Sequence, residues 1–175
     1  DGNSVLCPNN GNCRNTPVEI LETKYPFIVE EYRLRPDSAG AGKWRGGLAS
    51  SRTFRVTAPE ITVNALFDRT RTHGPGIFGG LEGASGGIFI QREGDDQFRR
   101  FSEVFGTVSD SKFTRVPVTM GDRIILNSAG GGGFGDPGER PRELVEEDLK
   151  QGFISPEAAR EFYGYEAEGV NGEQA

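Results

Sequence analysis

A run of glycines is the most distinctive feature of this 175-residue sequence. Residues 130–133 are all glycine, and Phe134 and Gly135 follow. The run contains a G-x-G-x-x-G pattern, but Asp136-Pro137 follows where a dinucleotide-binding loop requires a helix, and no Lys-Ser or Lys-Thr follows as in a phosphate loop. Residues without a Cβ allow close backbone approach or positive φ. We therefore predict that Gly131, Gly132, Gly133 and Phe134 form a tight structural crossing or a subunit contact, with a loop lining a substrate or phosphate passage as the alternative.

A second glycine-rich turn presents Lys43, Trp44 and Arg45 together. An arginine can hold a carboxylate or a phosphate through two parallel hydrogen bonds, so Arg45 is a candidate for binding an anionic substrate. The interpretation that we favour is structural. In it Trp44, the only tryptophan, fills the core, and Arg45 forms an ion pair for which Asp37 is the candidate partner.

Asp68 and Arg69 follow the run with the clearest alternation of apolar and polar residues, where the chain enters a loop rich in Gly and Pro. Loops at strand ends often carry binding groups. Arg45 and Arg69 are therefore candidates for contact with an anionic phosphorylated intermediate. The alternative, which we favour, is that each arginine anchors a loop through a nearby carboxylate, and for Arg69 that carboxylate is Asp68.

The sequence has few residues from which to build a complete catalytic or metal site. His73 is the only histidine, and no combination of nucleophile, base and orienting residue emerges, so no catalytic residue is assigned. Cys7 and Cys13 are predicted to be free thiols, with a small disulfide loop as the alternative. They do not form a zinc site, because no second Cys pair or His cluster follows. We expect no metal and no cofactor to be bound by this chain.

Composition excludes two classes of partner. The sequence has 20 basic and 26 acidic residues and a net charge of −6, which argues against nucleic acid because phosphate binding needs a concentrated basic surface. No apolar run approaches the roughly 18 residues of a membrane helix, so we expect no membrane span. The sequence begins at Asp1 and its single methionine is Met120. We therefore expect a processed subunit, a fragment, or part of a longer polypeptide.

Short extended runs separated by Gly, Asp, Ser and Pro predict a mainly β fold, an antiparallel sandwich or a barrel-like module. In Phe27 to Leu34 we place Ile28, Tyr32 and Leu34 on one face, opposite Phe27 and Val29. The seven predicted strands cover residues 27–34, 48–56, 61–67, 87–92, 98–105, 113–118 and 122–127.

Two short helices are predicted after the glycine run, at residues 143–150 and 156–163. Ser155 is the expected N-cap of the second helix, and Gly164 is expected to end it. We therefore divide the chain into an irregular segment at residues 1–14, a β module at 15–135, a helical hairpin at 136–165 and a polar tail at 166–175.

A series of motifs resembles the C-terminal part of the hydantoinase B/oxoprolinase family, whose members are also called HyuB-like subunits. In sequence order the motifs are Asn15-Thr-Pro-Val-Glu19, Tyr25-Pro26, Tyr32-Arg-Leu-Arg-Pro-Asp-Ser38, Trp44-Arg-Gly-Gly-Leu48, Asp68-Arg69, Phe78-Gly-Gly80, Gly121-Asp122 and Gly130-Gly-Gly-Gly-Phe-Gly-Asp-Pro137. The HyuB-like subunits of the family are several times longer than this chain, and their metal-binding residues lie in the N-terminal portion, which is absent here.

The resemblance implies the C-terminal portion, or a small subunit, of an ATP-dependent cyclic-amide hydrolase of the hydantoinase or oxoprolinase type. In such systems ATP is bound by a HyuA-like subunit, which phosphorylates the substrate, and the HyuB-like part carries out the hydrolysis or carboxylation that follows. It also implies a cytoplasmic hetero-oligomer with the HyuA-like subunit and the remaining HyuB-like portion, in which ATP and a divalent metal are held outside this chain. The alternatives are a subunit of an ATP-dependent acetone or acetophenone carboxylase and a non-catalytic β scaffold for subunit assembly.

Overall fold

The computed structural model describes residues 1–5 and 16–166. Cys7 and Cys13 lie outside the described residues, so their thiol state stays a prediction. The elements in chain order are α1 (Val18–Lys24), β1 (Phe27–Leu34), β2 (Ser50–Val56), β3 (Glu60–Leu66), β4 (Gly87–Gln91), β5 (Arg99–Arg100), α2 (Phe101–Phe105), β6 (Lys112–Thr119), β7 (Arg123–Asn127), a 3₁₀ turn (Pro137–Glu139), α3 (Arg142–Lys150) and α4 (Pro156–Tyr163).

The strands form a five-stranded sheet, ordered β1-β2-β7-β4-β5, and a two-stranded sheet, β3-β6. All strand pairs are antiparallel. Apolar side chains from both sheets and from α2 form one core, whose buried members are Val56, Ile88, Ile90, Phe101, Val116, Val118 and Ile124. The predicted mainly β, antiparallel fold is therefore confirmed, and two packed sheets make it a sandwich.

The predicted distribution of side chains over the two faces of β1 is wrong. The pairing register with β2 shifts between Val29 and Glu31, which marks a β-bulge. Because residues opposite each other in a ladder share a face, the bulge moves Tyr32 and Leu34 to the face that carries Phe27 and Val29. The Tyr32 ring accordingly lies 4.1 Å from the guanidinium of Arg52 on β2.

The predicted strand over residues 98–105 is wrong after Arg100. Only Arg99 and Arg100 pair with β4, and the chain then forms the one-turn helix α2. The Glu103 carboxylate accepts the backbone N–H of Arg100 at 3.0 Å, and Gly106 ends the turn with φ of 67°. Helical spacing places Phe101 and Phe105 on one side, where they pack into the core.

The predicted helical hairpin is confirmed by α3 and α4. Ser155 Oγ accepts the backbone N–H of Ala158 at 3.1 Å, and Gly164 ends α4 with φ of 59°. The two helices share a small core of Val145, Ile154, Ala158 and Ala159. Among the described residues, no helix combines the length and the apolar character that a membrane span requires.

Candidate functional site: the glycine crossing

Three segments that are distant in sequence meet at the side of the sandwich next to the helical hairpin. They are residues 38–47, 74–83 and 130–135, and we call their meeting point the glycine crossing. All three are irregular segments that connect or follow strands. They are joined by hydrogen bonds between backbone atoms.

The glycine run lies in the middle of the crossing. Gly131 accepts a hydrogen bond from the Gly40 N–H at 2.8 Å and donates its own N–H to the Gly47 carbonyl at 2.9 Å. Gly133 donates to the carbonyl of Leu81 at 2.9 Å. The run is thus tied to both other segments through the backbone groups of Gly131 and Gly133, although it belongs to neither sheet.

Close backbone approach explains the glycines. A Cβ at Gly132 would lie 1.9 Å from the Pro75 carbonyl oxygen, and one at Gly133 would lie 2.0 Å from that of Ala41. Neither residue has a positive φ, whereas Gly135 does, at 75°. Of the two explanations offered by the sequence, close approach therefore applies to Gly132 and Gly133, and positive φ applies to Gly135.

Arg45 fastens the crossing to helix α3. Its side chain is 6% exposed, and Nε donates to the Asp148 carboxylate at 2.9 Å. Nη1 donates to the carbonyl of Gly46 at 2.8 Å, and the guanidinium stacks 5.4 Å from the Phe153 ring. Arg45 is therefore an internal anchor, and its guanidinium does not face an open site.

Arg140 completes the buried ion-pair cluster. It donates to Asp148 at 2.7 Å and to both carboxylate oxygens of Asp1, at 2.7 and 2.9 Å. Its side chain is fully buried. Together with Arg45 this makes two cations facing two carboxylates, of which Asp148 is buried and Asp1 is 27% exposed at the edge of the cluster.

The sequence-based interpretation of the Trp44 turn is corrected in two respects. Trp44 does not fill the core, because it is 44% exposed. The partner of Arg45 is Asp148, not Asp37. Asp37 instead accepts the backbone N–H of Ser155 at 2.7 Å and thereby ties the turn to the start of α4.

Neither Asp148 nor Arg140 was predicted from the sequence. Asp148 belongs to the acidic stretch of α3, which resembles a solvated helix face. Its spacing could have indicated that it is buried, because Asp148 follows Val145 by three residues and the two therefore lie on the same side of the helix. No comparable signal marks Arg140, because it lies in the short link before α3.

Tyr163 at the end of α4 also contacts this cluster. Its ring lies 5.7 Å from the Arg140 guanidinium. Burial raises the pKa of its hydroxyl, and the nearby Arg140 charge opposes that rise. The hydroxyl is therefore neutral at physiological pH and serves as a packing group in the anchor.

Asp68 and Arg69 lie outside the crossing. The Asp68 carboxylate pairs with Lys112 Nζ on β6 at 3.1 Å, so the predicted pairing with Arg69 is wrong. Arg69 has φ of 54°, and its carbonyl accepts the N–H of Gly86 at 2.9 Å. Its side chain is exposed, and the structure brings it together with neither Arg45 nor the glycine run.

The exposed side of the crossing is apolar. Trp44 and Phe134 exchange backbone hydrogen bonds at 3.0 Å, and Ile77 pairs with Phe134 on its other side. Phe78 adds a ring contact to Phe134 at 5.2 Å between centroids. We call Trp44, Ile77, Phe78 and Phe134 the apolar face.

The crossing is a rigid surface with few groups that could take part in catalysis or bind a metal. His73, which directly precedes the second segment of the crossing, has its Nδ1 2.9 Å from the Gly83 carbonyl. Within residues 1–5 and 16–166, no three His, Cys, Asp or Glu side chains form a group that could hold a metal ion. The arrangement can therefore position a partner or a substrate, and the described residues show no acid–base pair at the apolar face.

Comparison with known proteins identifies the family. The family model for hydantoinase B/oxoprolinase matches residues 1–137. The putative B-type subunit of a D-/L-hydantoinase from Pseudomonas sp. is 33% identical over 165 residues, which is 94% of this chain and 26% of that protein. An acetophenone carboxylase delta subunit from Aromatoleum aromaticum is 29% identical over 174 residues, covering 87% of this chain and 25% of that protein.

A solved structure shows the same fold. The crystal structure of ATP-dependent caprolactamase from Pseudomonas jessenii matches with a TM-score of 0.72 and 28% identity, covering 90% of this chain and 26% of that chain. The chain thus spans about a quarter of the length of each of these three proteins. Because the family model covers most of its length, the chain belongs to the hydantoinase B/oxoprolinase family.

Proposed function

We propose that this chain is the C-terminal portion, or a separately encoded small subunit, of a HyuB-like enzyme that hydrolyses cyclic amides with ATP. The observation that carries the proposal is that nearly the whole chain aligns with a quarter of a B-type hydantoinase subunit. The fold shared with an ATP-dependent caprolactamase supports the same reaction class. Hydantoins, 5-oxoproline and caprolactam are all rings closed by an amide, so a cyclic amide is the proposed substrate class.

The chain's share of that reaction is structural. ATP binds to a HyuA-like partner that phosphorylates the substrate, and a divalent metal binds in the remaining HyuB-like portion. The glycine crossing, fixed by the Arg45–Asp148 ion pair, supplies a rigid surface against those parts. We expect the whole assembly to be a hetero-oligomer that works in the cytoplasm, where ATP is supplied. We expect the 175-residue chain alone to be inactive.

A second candidate function is ketone carboxylation with ATP and bicarbonate. The similarity to an acetophenone carboxylase delta subunit favours it. We rank it second because the B-type hydantoinase subunit is more similar and covers more of this chain. The third alternative is a non-catalytic scaffold, in which the glycine crossing only joins neighbouring subunits.

Purification of the native assembly tests these alternatives. The chain is isolated with its bound polypeptides, which mass spectrometry identifies, and ADP release is measured with hydantoin, 5-oxoproline or caprolactam. We expect an ATP-binding companion and ADP release that depends on one of these amides. Release that instead requires a ketone and bicarbonate identifies a carboxylase. An isolated chain without companions, or an assembly that turns over neither class, contradicts the enzyme proposal.

A further inference from the structure

The four large side chains of the apolar face are exposed, on segments whose backbones pair around Phe134. Trp44 is 44% exposed, Ile77 53%, Phe78 80% and Phe134 46%. Contiguous exposed apolar surface is uncommon on monomeric proteins and marks interaction sites. The face also contains three aromatic side chains, a residue class enriched at protein interfaces.

Phe78 shows that this exposure is built into the backbone. Its φ is 52°, in the left-handed region that bulky residues rarely adopt. The ring lies 5.2 Å from that of Phe134 and is 80% exposed, and Gly79 follows with φ of 93°. Within the described part of the chain, the strained residue is the most exposed member of the face. Such strain is typical of sites that act on a partner.

The backbone behind the face is already ordered. Trp44, Ile77 and Phe134 are held by hydrogen bonds of 2.9 to 3.0 Å within the glycine crossing. Binding through a pre-organised surface costs less conformational entropy than binding through a mobile loop. The face is therefore suited to a stable contact.

The charge of the surroundings restricts the partner. None of the four side chains is ionisable, and the nearest lysine in sequence, Lys43, is paired with Glu139 at 3.1 Å. A partner surface that buries this face therefore has to be apolar, because a charged group placed against it would lose its hydration without gaining an opposite charge.

We propose that the apolar face is the docking site for the remaining portion of the HyuB-like subunit. This inference rests on the proposed function. Its further basis is length, since the chain spans about a quarter of the B-type hydantoinase subunit and of the carboxylase delta subunit, and three quarters of a subunit of that length lie outside it. A second copy of this chain and the HyuA-like subunit are the competing occupants.

Radical footprinting of the native assembly tests the docking. Hydroxyl radicals label exposed aromatic side chains, and mass spectrometry gives a protection factor for each residue. We expect protection of Trp44, Phe78 and Phe134 to exceed that of Tyr25 by about fivefold or more, as for a buried interface centre. Tyr25 is a matched control because it is 53% exposed and lies beside β1, outside the face. Crosslinks from the face should lead to the remaining HyuB-like portion.

The outcomes separate the two proposals. An assembly that contains the HyuB-like portion but leaves Phe78 as reactive as Tyr25 overturns the docking and leaves the proposed function in place. Crosslinks to a second copy or to the HyuA-like subunit also overturn it. An assembly that lacks any HyuB-like portion overturns the proposed function and the docking together.

A pair of variants tests whether Phe78 contributes to the contact. Phe78→Asn removes the ring but suits a positive φ, so the fold is not strained by the change. Leu66→Asn is the control, because Leu66 is 82% exposed at the end of β3. We expect Phe78→Asn to lower the protection factor of Trp44 by about threefold or more and Leu66→Asn to leave it unchanged. Equal values in both variants contradict the docking.

Discussion

The core of the sandwich and the glycine crossing both pack tightly, but they do so with different atoms. Between the sheets, Ile90 and Val118 are fully buried and fill the space with side chains. In the crossing, backbone meets backbone, and the Gly132 Cα faces the Pro75 carbonyl at a distance that leaves no space for a Cβ. Removal of side-chain atoms should therefore destabilise the core, whereas addition of side-chain atoms should destabilise the crossing.

This difference explains why the crossing needs an additional anchor. Apolar burial stabilises the core in proportion to the area removed from water. Glycines bury little apolar area and lose much conformational freedom on folding. The crossing is instead held by backbone hydrogen bonds and by the buried cluster of Arg45, Arg140 and Asp148.

The largest expected effect is from Gly132→Val. The new side chain would overlap the Pro75 carbonyl, which belongs to backbone and cannot move aside, so we expect a loss of more than about 4 kcal/mol of unfolding free energy. Urea denaturation measures it. Gly138→Ala is the control, because its nearest neighbour is the Asp136 carboxylate at 3.3 Å, and it should cost less than about 1 kcal/mol. Similar stability of both variants would contradict backbone packing.

Asp148→Ala should have the next largest effect. The substitution leaves the guanidinium groups of Arg45 and Arg140 buried without the carboxylate that both contact. We therefore expect the free energy of unfolding to fall by about 3–5 kcal/mol, which urea denaturation measures. Glu147→Ala provides the comparison, since that carboxylate is exposed and accepts a hydrogen bond from the exposed Gln151, and it should change stability by less than about 0.5 kcal/mol. Equal effects would show that the buried cluster does not anchor the crossing.

Ile90→Ala tests the other half of the comparison. Removal of a fully buried side chain from the core should cost about 3 kcal/mol. Ile90→Val, which removes one methyl group, should cost about 1 kcal/mol. Thermal unfolding of both variants shows whether the loss of stability grows with the number of atoms removed. If both variants were as stable as the unchanged chain, the core would relax around the deletion, and the contrast with the crossing would fail.

Arg45→Lys and Arg69→Lys sharpen the distinction between anchor and surface. Lysine keeps the positive charge but lacks the planar guanidinium that donates to both Asp148 and the Gly46 carbonyl. Arg45→Lys should therefore lower the free energy of unfolding by about 2 kcal/mol. Arg69→Lys should change stability by less than about 0.5 kcal/mol, because the Arg69 side chain is exposed. Melting temperature and turnover are measured in the assembly. Reduced turnover with unchanged melting would instead place that arginine against substrate.

The smallest effect concerns pH. A hydrogen bond from Ser102, and then the charge of Arg100, hold the pKa of the Asp110 carboxyl below its ordinary value. A lowered folded-state pKa contributes stability above the unfolded value of about 3.9 that is lost as the pH falls through the folded one. The stability advantage over Asp110→Asn should therefore shrink between about pH 6 and about pH 3. An advantage that grows on acidification reverses the sign and contradicts the lowered pKa.

Local patterns predicted most of the strands and both C-terminal helices, but not α1 or α2. The alternation of Ile61, Val63 and Ala65 indicated β3, and Ser155 and Gly164 marked the ends of α4, because these signals act over a few residues. The bulge in β1 was missed, since one extra residue leaves the composition of the strand unchanged but reverses its faces.

The candidate site was predictable only in part. Glycine is the one residue that permits such close contact, so the run indicated a crossing without naming what it crosses. The partner of Arg45 lies 103 residues away on a helix whose acidic stretch resembles a solvated face. The apolar face is assembled from three separate loops, so neither Trp44 nor Phe78 shows its neighbours in the sequence.

Hydrogen exchange most directly measures whether the glycine crossing is a rigid, backbone-packed unit. Amide exchange is followed residue by residue in the 175-residue chain. The N–H groups of Gly131 and Gly133, which donate at 2.9 Å within the crossing, should exchange within about tenfold of those in the central strand β7. Exchange of these glycine amides at the rate of an open loop, while β7 stays protected, would contradict the rigid crossing.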